Sequence, residues 1–322
     1  MRVTIMFVFI IRRFLYAIPI ALAVAAVCFS LVHLAPGDPL TAIIPADAPA
    51  EVVIAIQQAY GMDRPILVQF GSWIQRALQG DLGVSVATGR PVMGDIALAL
   101  SNTLLLAFAA ALLGFVGGIL LGALAAIYNG TWIDKLATAL AITGVSIPHY
   151  WLGLLLVIIF SVHLDWLPSM GAGPGGSSDW RLDWAHLRHL VLPAVTMCFI
   201  PMGIVTRTVR ATVSEILNSE FVTALYARGL HGRRIALHVA KNAAPTVLSV
   251  MGLQFGYLLG GSILVETVFS WPGTGYLLNT AIFQRDIPLL QGIILILAMF
   301  FVGLNLLVDV LQTLMDPRIK RG

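Results

Sequence analysis

Bond-making chemistry needs a nucleophile beside a base, a cluster of metal ligands or a cradle for phosphate, and this 322-residue sequence offers few residues in such patterns. Its three lysines, Lys135, Lys241 and Lys320, follow Asp134, Ala240 and Ile319. None follows a glycine, so the phosphate loop G-x-x-x-x-G-K-[ST] is absent. No H-E-x-x-H, G-x-S-x-G or C-x-x-C occurs either. Cys28 and Cys198 each sit in a long apolar run and read as small buried hydrophobes rather than a disulfide or a metal site. His186 and His189 stand three apart in a polar loop, a spacing that could put two imidazoles on one helical face. No carboxylate or thiolate completes a ligand set with them, and no metal site is expected. Asp179 and Asp183 read as solvated loop charges. Two acids lie inside apolar runs, Glu266 and Asp309, and an ionisable group at such depth is a functional candidate by default. Both are near enough to a run's end to reach water or a helix terminus. Ser146, His149 and Glu266 are the candidates for a translocation path or gate.

The elements that must position these residues are membrane helices. The sequence is 58% hydrophobic and 11% charged with a mean hydropathy of +0.90, whereas soluble proteins carry about 25% charged residues. The net charge of +3 and pI near 9.0 do not point to nucleic acid, because the basic residues are spread along the chain without interleaved aromatics. Six apolar runs are long enough to cross about 30 Å of hydrocarbon: residues 14–34, 103–127, 136–160, 190–206, 246–269 and 289–311. A cleaved signal peptide competes for the first, with Ala23 and Ala25 as a small-residue pair, but its apolar run exceeds the usual ~7–15 residues, so it reads as a retained span.

Pro148 in the third run and Pro193 and Pro201 in the fourth remove backbone donors, so these helices should be kinked or broken. Gly114, Gly118 and Gly122, and again Gly252, Gly256 and Gly260, form ridges that allow close helix packing. Between the first two runs, residues 35–95 are rich in proline, with amphipathic pieces around 50–60 and 65–78 ended near Gly61 and Gly80. This loop carries six acids against three arginines and should form a helical cap outside the cytoplasm. The expected organisation is a cytoplasmic N-terminus and first span over 1–34, the cap over 35–97 and a five-helix core over 98–322. With both termini inside, thirteen of the nineteen Lys and Arg fall on inner segments, as the positive-inside rule asks.

Six of the nineteen basic residues gather in the polar segment 207–245: Arg207, Arg210, Arg228, Arg233, Arg234 and Lys241. Residues 214–227 have helical periodicity, with Ile216, Phe221, Ala224 and Leu225 on one stripe and Glu215, Asn218, Glu220 and Arg228 elsewhere. Ser219 is placed to cap a shorter helix from Glu220. Gly229 ends it, and a second helix over 233–243 precedes Pro245 at the entry to the fifth span. Such a protrusion suits a groove in a soluble partner. An amphipathic hairpin lying on anionic lipid is the competing reading.

This segment resembles the EAA loop of ABC importer permeases, whose pattern is E-A-A-x-x-x-G, then nine residues and I-x-L-P. Here Thr223-Ala224-Leu225-Tyr226-Ala227-Arg228-Gly229 has Thr for Glu and Leu for the second Ala, and Pro245 comes three positions late. The A-R-G-L, R-R and K-N-A-A-P pieces are similar to those of peptide and nickel importer permeases. So are Arg12-Arg13, Ala35-Pro36-Gly37-Asp38-Pro39, Gly80-Asp81-Leu82-Gly83, Ser146-Ile147-Pro148, Trp151-Leu152-Gly153, Leu167-Pro168, Val265-Glu266-Thr267-Val268-Phe269, Trp271-Pro272-Gly273, Arg285-Asp286, Gln291-Gly292, Asn305 to Asp309, and Asp316-Pro317-Arg318.

The resemblance implies an all-α membrane protein of the type I importer permease fold, with six transmembrane helices and cytoplasmic termini in a bacterial inner membrane. It implies a second related permease, two ATP-binding subunits and an extracytoplasmic binding protein as partners, besides lipid. ATP and magnesium would sit on the partner subunits, with no cofactor and no catalysis on this chain. Glu220, Thr223, Ala224, Ala227, Arg228, Gly229 and Arg233 are the residues it assigns to ATPase coupling. Peptides are the first expectation for the substrate. Glutathione is an alternative, as is nickel or a metal chelate, for which His149, His163 and the two loop histidines speak. A gradient-driven carrier or channel acting alone is the reading from another class.

Overall fold

The computed structural model describes residues 12, 15, 16, 18–30, 49, 51, 64–176 and 180–315. The motif at 35–39, most of the amphipathic piece at 50–60, Asp179, the side chain of Asp309 and the terminal motif at 316–318 lie outside the described residues. The described residues are helical apart from loops and one isolated β-bridge, Val84 to Pro91. The helices are α1 (Ile18–Ser30), α2 (Ile66–Leu78), α3 (Val92–Ile127), α4 (Trp132–Ser146), α5 (His149–Leu156), α6 (Trp184–Leu217), α7 (Glu220–Ala227), α8 (Gly232–Val268), α9 (Thr274–Gln284) and α10 (Ile287–Met315). Four of them, α3, α6, α8 and α10, are long and apolar enough to cross a membrane; α4 and α5 with its continuation are apolar enough only when taken together, as a pair bent at the break between them.

The chain divides into two compact units, Met1–Ser101 with Gly273–Gly303, and Asn102–Pro272 with Leu304–Gly322. In the first unit α2 forms where the amphipathic pattern places it. It begins after Pro65, packs the partly buried Phe70, Trp73, Ile74 and Ala77 against a core of Ala25, Leu82, Val92, Ile96, Leu289 and Ile293, and leaves Leu67 and Leu78 exposed. Phe29, Phe70 and Trp73 pack with ring centroids 5.3–6.4 Å apart. Gly80, at φ 80°, closes the helix: its N–H bonds Ala77 and that of Asp81 bonds Arg76, the pair of bonds that satisfies orphan carbonyls at a left-handed helix end. The loop that follows is fastened to Asp286, which is 1% exposed. Asp286 accepts from the Ser85 hydroxyl, from Ala87 N–H at 3.2 Å and from Leu289 N–H at 3.2 Å, so one carboxylate both caps α10 and pins the loop.

In the second unit the long helix α6 is central. The ridge expected at Gly114, Gly118 and Gly122 packs on it so closely that an added Cβ would stand 2.8 Å from Cys198 O, 2.8 Å from Val205 Cβ and 2.6 Å from Thr206 O. On another face Gly203 meets α4, where a Cβ would collide with the Ala141 carbonyl oxygen. With no difference in polarity between lipid and apolar side chains, this close backbone approach is what dispersion offers to hold a bundle together. The second expected ridge is not such a seam at Gly260, which is exposed and has open space around it.

Prolines behave unequally. At Pro148 the third span breaks as expected: Pro148 precedes α5, and the two halves are bent by 101°. Beyond Leu156 the chain continues as π-helix over Val157–His163. Pro193 and Pro201 do not break α6, which runs unbroken for 34 residues and is far longer than the 190–206 expected. Both are buried, and Pro201 fits beside Gly114, so packing offsets the missing donor. Likewise Pro245 lies inside α8. The helix expected over 233–243 and the span expected from 246 are one helix of 37 residues.

Candidate functional site

At about 1.5 Å per residue, α6 and α8 are roughly 50 Å and 55 Å long, well beyond the ~30 Å of hydrocarbon. Their excess length carries α7. The link between α6 and α7 is two residues. Asn218 Nδ2 donates to Ser214 O at 2.9 Å and the Ser219 hydroxyl donates to Ile216 O at 2.6 Å, each a second bond to a carbonyl that already accepts a backbone N–H at the end of α6. Ser219 therefore stands at the N-cap of α7 without making the capping bond expected of it. Glu220 in the first turn of α7 complements the positive end of the helix.

The buried face of α7 is Val222 and Leu225, which pack with Ile235 and Val239 of α8 and with Val213, Ile216 and Leu217 of α6. The stripe expected from the sequence is thus corrected: Leu225 and Ile216 belong to it, but Phe221 and Ala224 point outward. The reason is local. The break at residues 218–219 resets the helical phase, so residues before and after it do not share one 3.6-residue period. Phe221 instead meets His238 edge-on, ring centroids 6.4 Å apart.

α7 ends in the same left-handed motif as α2. Gly229 has φ 75°, its N–H bonds Tyr226 O at 2.9 Å, and Leu230 N–H bonds Leu225 O at 3.3 Å, with the Leu230 side chain in the same apolar cluster. Glu220, Thr223, Ala224, Ala227, Arg228, Gly229 and Arg233 are all exposed, and so is Tyr226, at 61%. Of the seven residues of the sequence-derived set, Glu220, Thr223, Ala224 and Ala227 lie on α7, Arg228 and Gly229 on the turn after it and Arg233 in the first turn of α8.

The path candidates are placed differently. Ser146 ends α4, exposed, with its hydroxyl donating to Ile142 O at 2.9 Å, and His149 opens α5, half-buried; the two flank the bend at Pro148. Glu266 is fully buried on α8 and accepts from the Thr103 hydroxyl of α3 at 2.8 Å. Of the two outcomes expected for it, water or a helix terminus, the second holds: Glu266 lies two residues from the end of α8 and is sealed from water. Trp271 is fully buried, its indole N–H donating to Asn102 O at 3.0 Å, while Asn102 donates to Pro272 O at 3.0 Å.

On the loop before α6, Asp183 is exposed, as expected of a loop charge, and it is also the helix cap. It accepts from His186 N–H at 2.8 Å and lies 2.7 Å from His186 Nδ1. His189 Nδ1 lies 2.9 Å from Met170 O, and Arg188 donates to Trp166 O at 2.5 Å, so the loop backbone is tied to the first turns of α6. The two histidines thus serve separate partners, and among the described residues no three His, Cys, Asp or Glu side chains converge as metal ligands. The backbone N–H of His186, then its side chain, holds the Asp183 carboxyl below its ordinary value. A depressed carboxyl stabilises above the ordinary range near ~4 and loses that contribution as pH falls through the lower folded value. Acidifying the protein from pH 7 through that window is expected to raise hydrogen exchange at the amides of His186 and Leu187 several-fold. Asp183→Ala should exchange fast at every pH; a wild type whose exchange ignores pH after correction for intrinsic rates refutes the cap's role.

The model of the binding-protein-dependent transport system inner membrane component family matches residues 118–321, and that of its N-terminal membrane component matches residues 6–107. The chain belongs to this family. The permease is 38% identical over 313 residues to the glutathione transport system permease protein GsiC of Salmonella typhimurium, covering 97% of this chain and 98% of that one. It is 37% identical over the same shares to the protein of that name from Escherichia coli. Among solved structures it resembles a chain of the MetNI methionine ABC transporter in an inward-facing conformation, with a TM-score of 0.55 and 17% identity over 70% of this chain and 97% of that one. That likeness shows a shared fold. The permease is therefore a membrane subunit of a binding-protein-dependent ABC importer of the dipeptide and oligopeptide family, multi-pass in the inner membrane.

Sequence reasoning missed two features of the permease. One is the Asp286 network; the other is an ion pair between Asp134 and Arg210, which entered only as two charges on the inner side. Their partners are 201 and 76 residues apart along the chain. The only local signals were an acid just before the start of α10 and another just inside the start of α4.

Proposed function

We propose that the permease forms half of an ATP-driven translocation path for short peptides, glutathione among them, handed over by an extracytoplasmic binding protein at the cap over 35–97. In this reading the chain crosses the membrane six times with both termini in the cytoplasm, the core over 98–322 pairs with a second homologous permease, and two partner subunits bind ATP and magnesium and perform the hydrolysis. The permease itself carries no catalysis. α7 docks in a groove of an ATP-binding subunit, with Glu220, Thr223, Ala224, Ala227, Arg228, Gly229 and Arg233 at the contact. Ser146, His149 and Glu266 serve the path or its gate: the first two at the bend where a span changes direction, the third by holding α8 to α3.

The observation that carries the coupling reading is α7 itself, two buried side chains holding a protrusion whose remaining residues are free to meet a partner. The substrate reading is supported by the near full-length similarity to permeases named for glutathione transport. Glutathione is a tripeptide, so both fall in one chemical class. The test is reconstitution of the importer in liposomes with its binding protein. Uptake of glutathione or of dipeptides that requires ATP is the expected result. Uptake of Ni²⁺ alone would move the substrate to a metal, and transport by the single chain without ATP would establish a gradient-driven carrier instead.

A further inference from the structure

The base of α6 holds a set of polar side chains that the coupling reading leaves without a task. Arg210 donates from Nε to Asp134 Oδ1 at 2.5 Å and from Nη2 to Asp134 Oδ2 at 2.8 Å, a two-pronged pairing. The Asp134 side chain is only 6% exposed. Its remaining lone pairs accept from Gly130 N–H at 3.0 Å and the Thr138 hydroxyl at 3.3 Å. Arg210 Nη2 also reaches Asn129 Oδ1 at 3.4 Å, and Asn129 Nδ2 reaches Ser214 Oγ at 3.5 Å. One end of α6 thus grips both the first turn of α4 and the turn that joins α3 to α4.

This grip sits in series with α7. Val213, one turn after Arg210, and Ile216 and Leu217 beyond it are in the apolar cluster that seats Val222 and Leu225. In the other direction α4 runs from Asp134 to the bend at Pro148. Apolar contacts between helices can slide, because they fix a distance but no angle. A planar guanidinium paired through two parallel bonds fixes both. Exposed ion pairs contribute little to stability, so an enclosed, four-fold satisfied carboxylate at this junction is better explained by geometry than by stability.

We propose that Asp134 and Arg210 form a strut that keeps α4 in register with the coupling helix, so that a displacement of α7 is delivered through α4 to the bent span. The strut rests on the coupling reading of α7. Asp134 and Arg210 are positioning residues: they touch neither nucleotide nor substrate, and they act by making α7, the end of α6 and the start of α4 one body.

The test uses the whole importer in lipid nanodiscs, with spin labels on cysteines introduced at exposed positions of the permease: Trp132→Cys with Tyr226→Cys, or Tyr226→Cys with Leu182→Cys. Distances are measured without nucleotide and after trapping with ATP and vanadate. In the wild-type background the 182–226 distance is expected to shift by about 2–5 Å on trapping. The 132–226 distance should stay sharp and unchanged. Asp134→Asn and Arg210→Gln should broaden the 132–226 distribution and make it depend on nucleotide. Arg210→Lys, which keeps the charge and the fold but loses the second prong, should do so to a smaller degree, and Asp134→Arg with Arg210→Asp should restore a sharp distance. A pair that only stabilises the fold would lower the yield of complex without making the 132–226 distance follow the nucleotide. An unchanged 132–226 distance in the single variants overturns the strut while leaving the coupling reading intact. A wild type whose 182–226 distance ignores trapping overturns the coupling reading, and the strut falls with it.

Discussion

Gly203→Ala is expected to deplete the folded permease several-fold, although alanine is the better helix former. In an open helical position the change from glycine to alanine stabilises by about 0.5–1 kcal/mol. At Gly203 the new methyl would collide with the Ala141 carbonyl oxygen and stand 2.7 Å from Val145 Cγ2. The carbonyl belongs to the backbone of α4 and cannot rotate away, so α4 and α6 must separate. Overpacking of this kind costs about 1–3 kcal/mol and occasionally more, which outweighs the propensity gain and is a sizeable part of a typical stability of 5–15 kcal/mol. A loss of about 1–2 kcal/mol changes cellular abundance several-fold. Gly260→Ala provides the opposite sign in the same protein, since nothing lies within 4 Å of its added Cβ. Membrane abundance and thermal unfolding in detergent measure both. If the two variants behave alike, the close approach of α4 and α6 is refuted.

Gly229→Val is expected to leave the permease in the membrane near its normal amount and to cut ATP-dependent uptake by about tenfold or more, the effect of about 1.4 kcal/mol against the competent elbow. Here space is not the obstacle, because nothing lies within 4 Å of the position a Cβ would take. The obstacle is φ 75°, a left-handed conformation that costs an L residue roughly 1–2 kcal/mol and a β-branched one more. Valine would release the Gly229 N–H from Tyr226 O and swing Leu230 out of the cluster, turning the exposed face of α7 away from its partner. Asparagine tolerates the left-handed region, so Gly229→Asn should retain most uptake, with alanine between asparagine and valine. That order separates the backbone explanation from a steric one. If asparagine is as damaging as valine, bulk at the docking surface and not the elbow's φ is what matters.

Both predictions concern glycines, yet the two were not equally visible in the sequence. Gly229 follows a short periodic helix and precedes charged residues, and a chain reversal there is a local necessity. Gly203 lies two residues after Pro201 in an apolar run, with no small residue four positions away in either direction, and nothing local marks it. Its importance comes from Ala141 and Val145, some sixty residues earlier in the chain. The same division holds for the prolines. Pro148 breaks its span as backbone geometry demands, whereas Pro193, Pro201 and Pro245 sit within continuous helices, two of them buried in the packed centre of α6.

Composition and local periodicity alone determined that this is a helical membrane protein, that a polar elbow at 220–229 interrupts its apolar second half, that the third span breaks at Pro148, and that Gly114, Gly118 and Gly122 form a packing ridge. These features follow from allowed φ/ψ values, from the thickness of a bilayer and from side-chain spacing, which act over a few residues. Tertiary structure alone decided which face of α7 is buried, that Glu266 is sealed rather than wet, that Asp286 pins a loop 201 residues away, and that Arg210 grips Asp134 across 76 residues. A buried polar group must find a partner, but the sequence does not say which distant one, because that choice is made by the packing of whole helices.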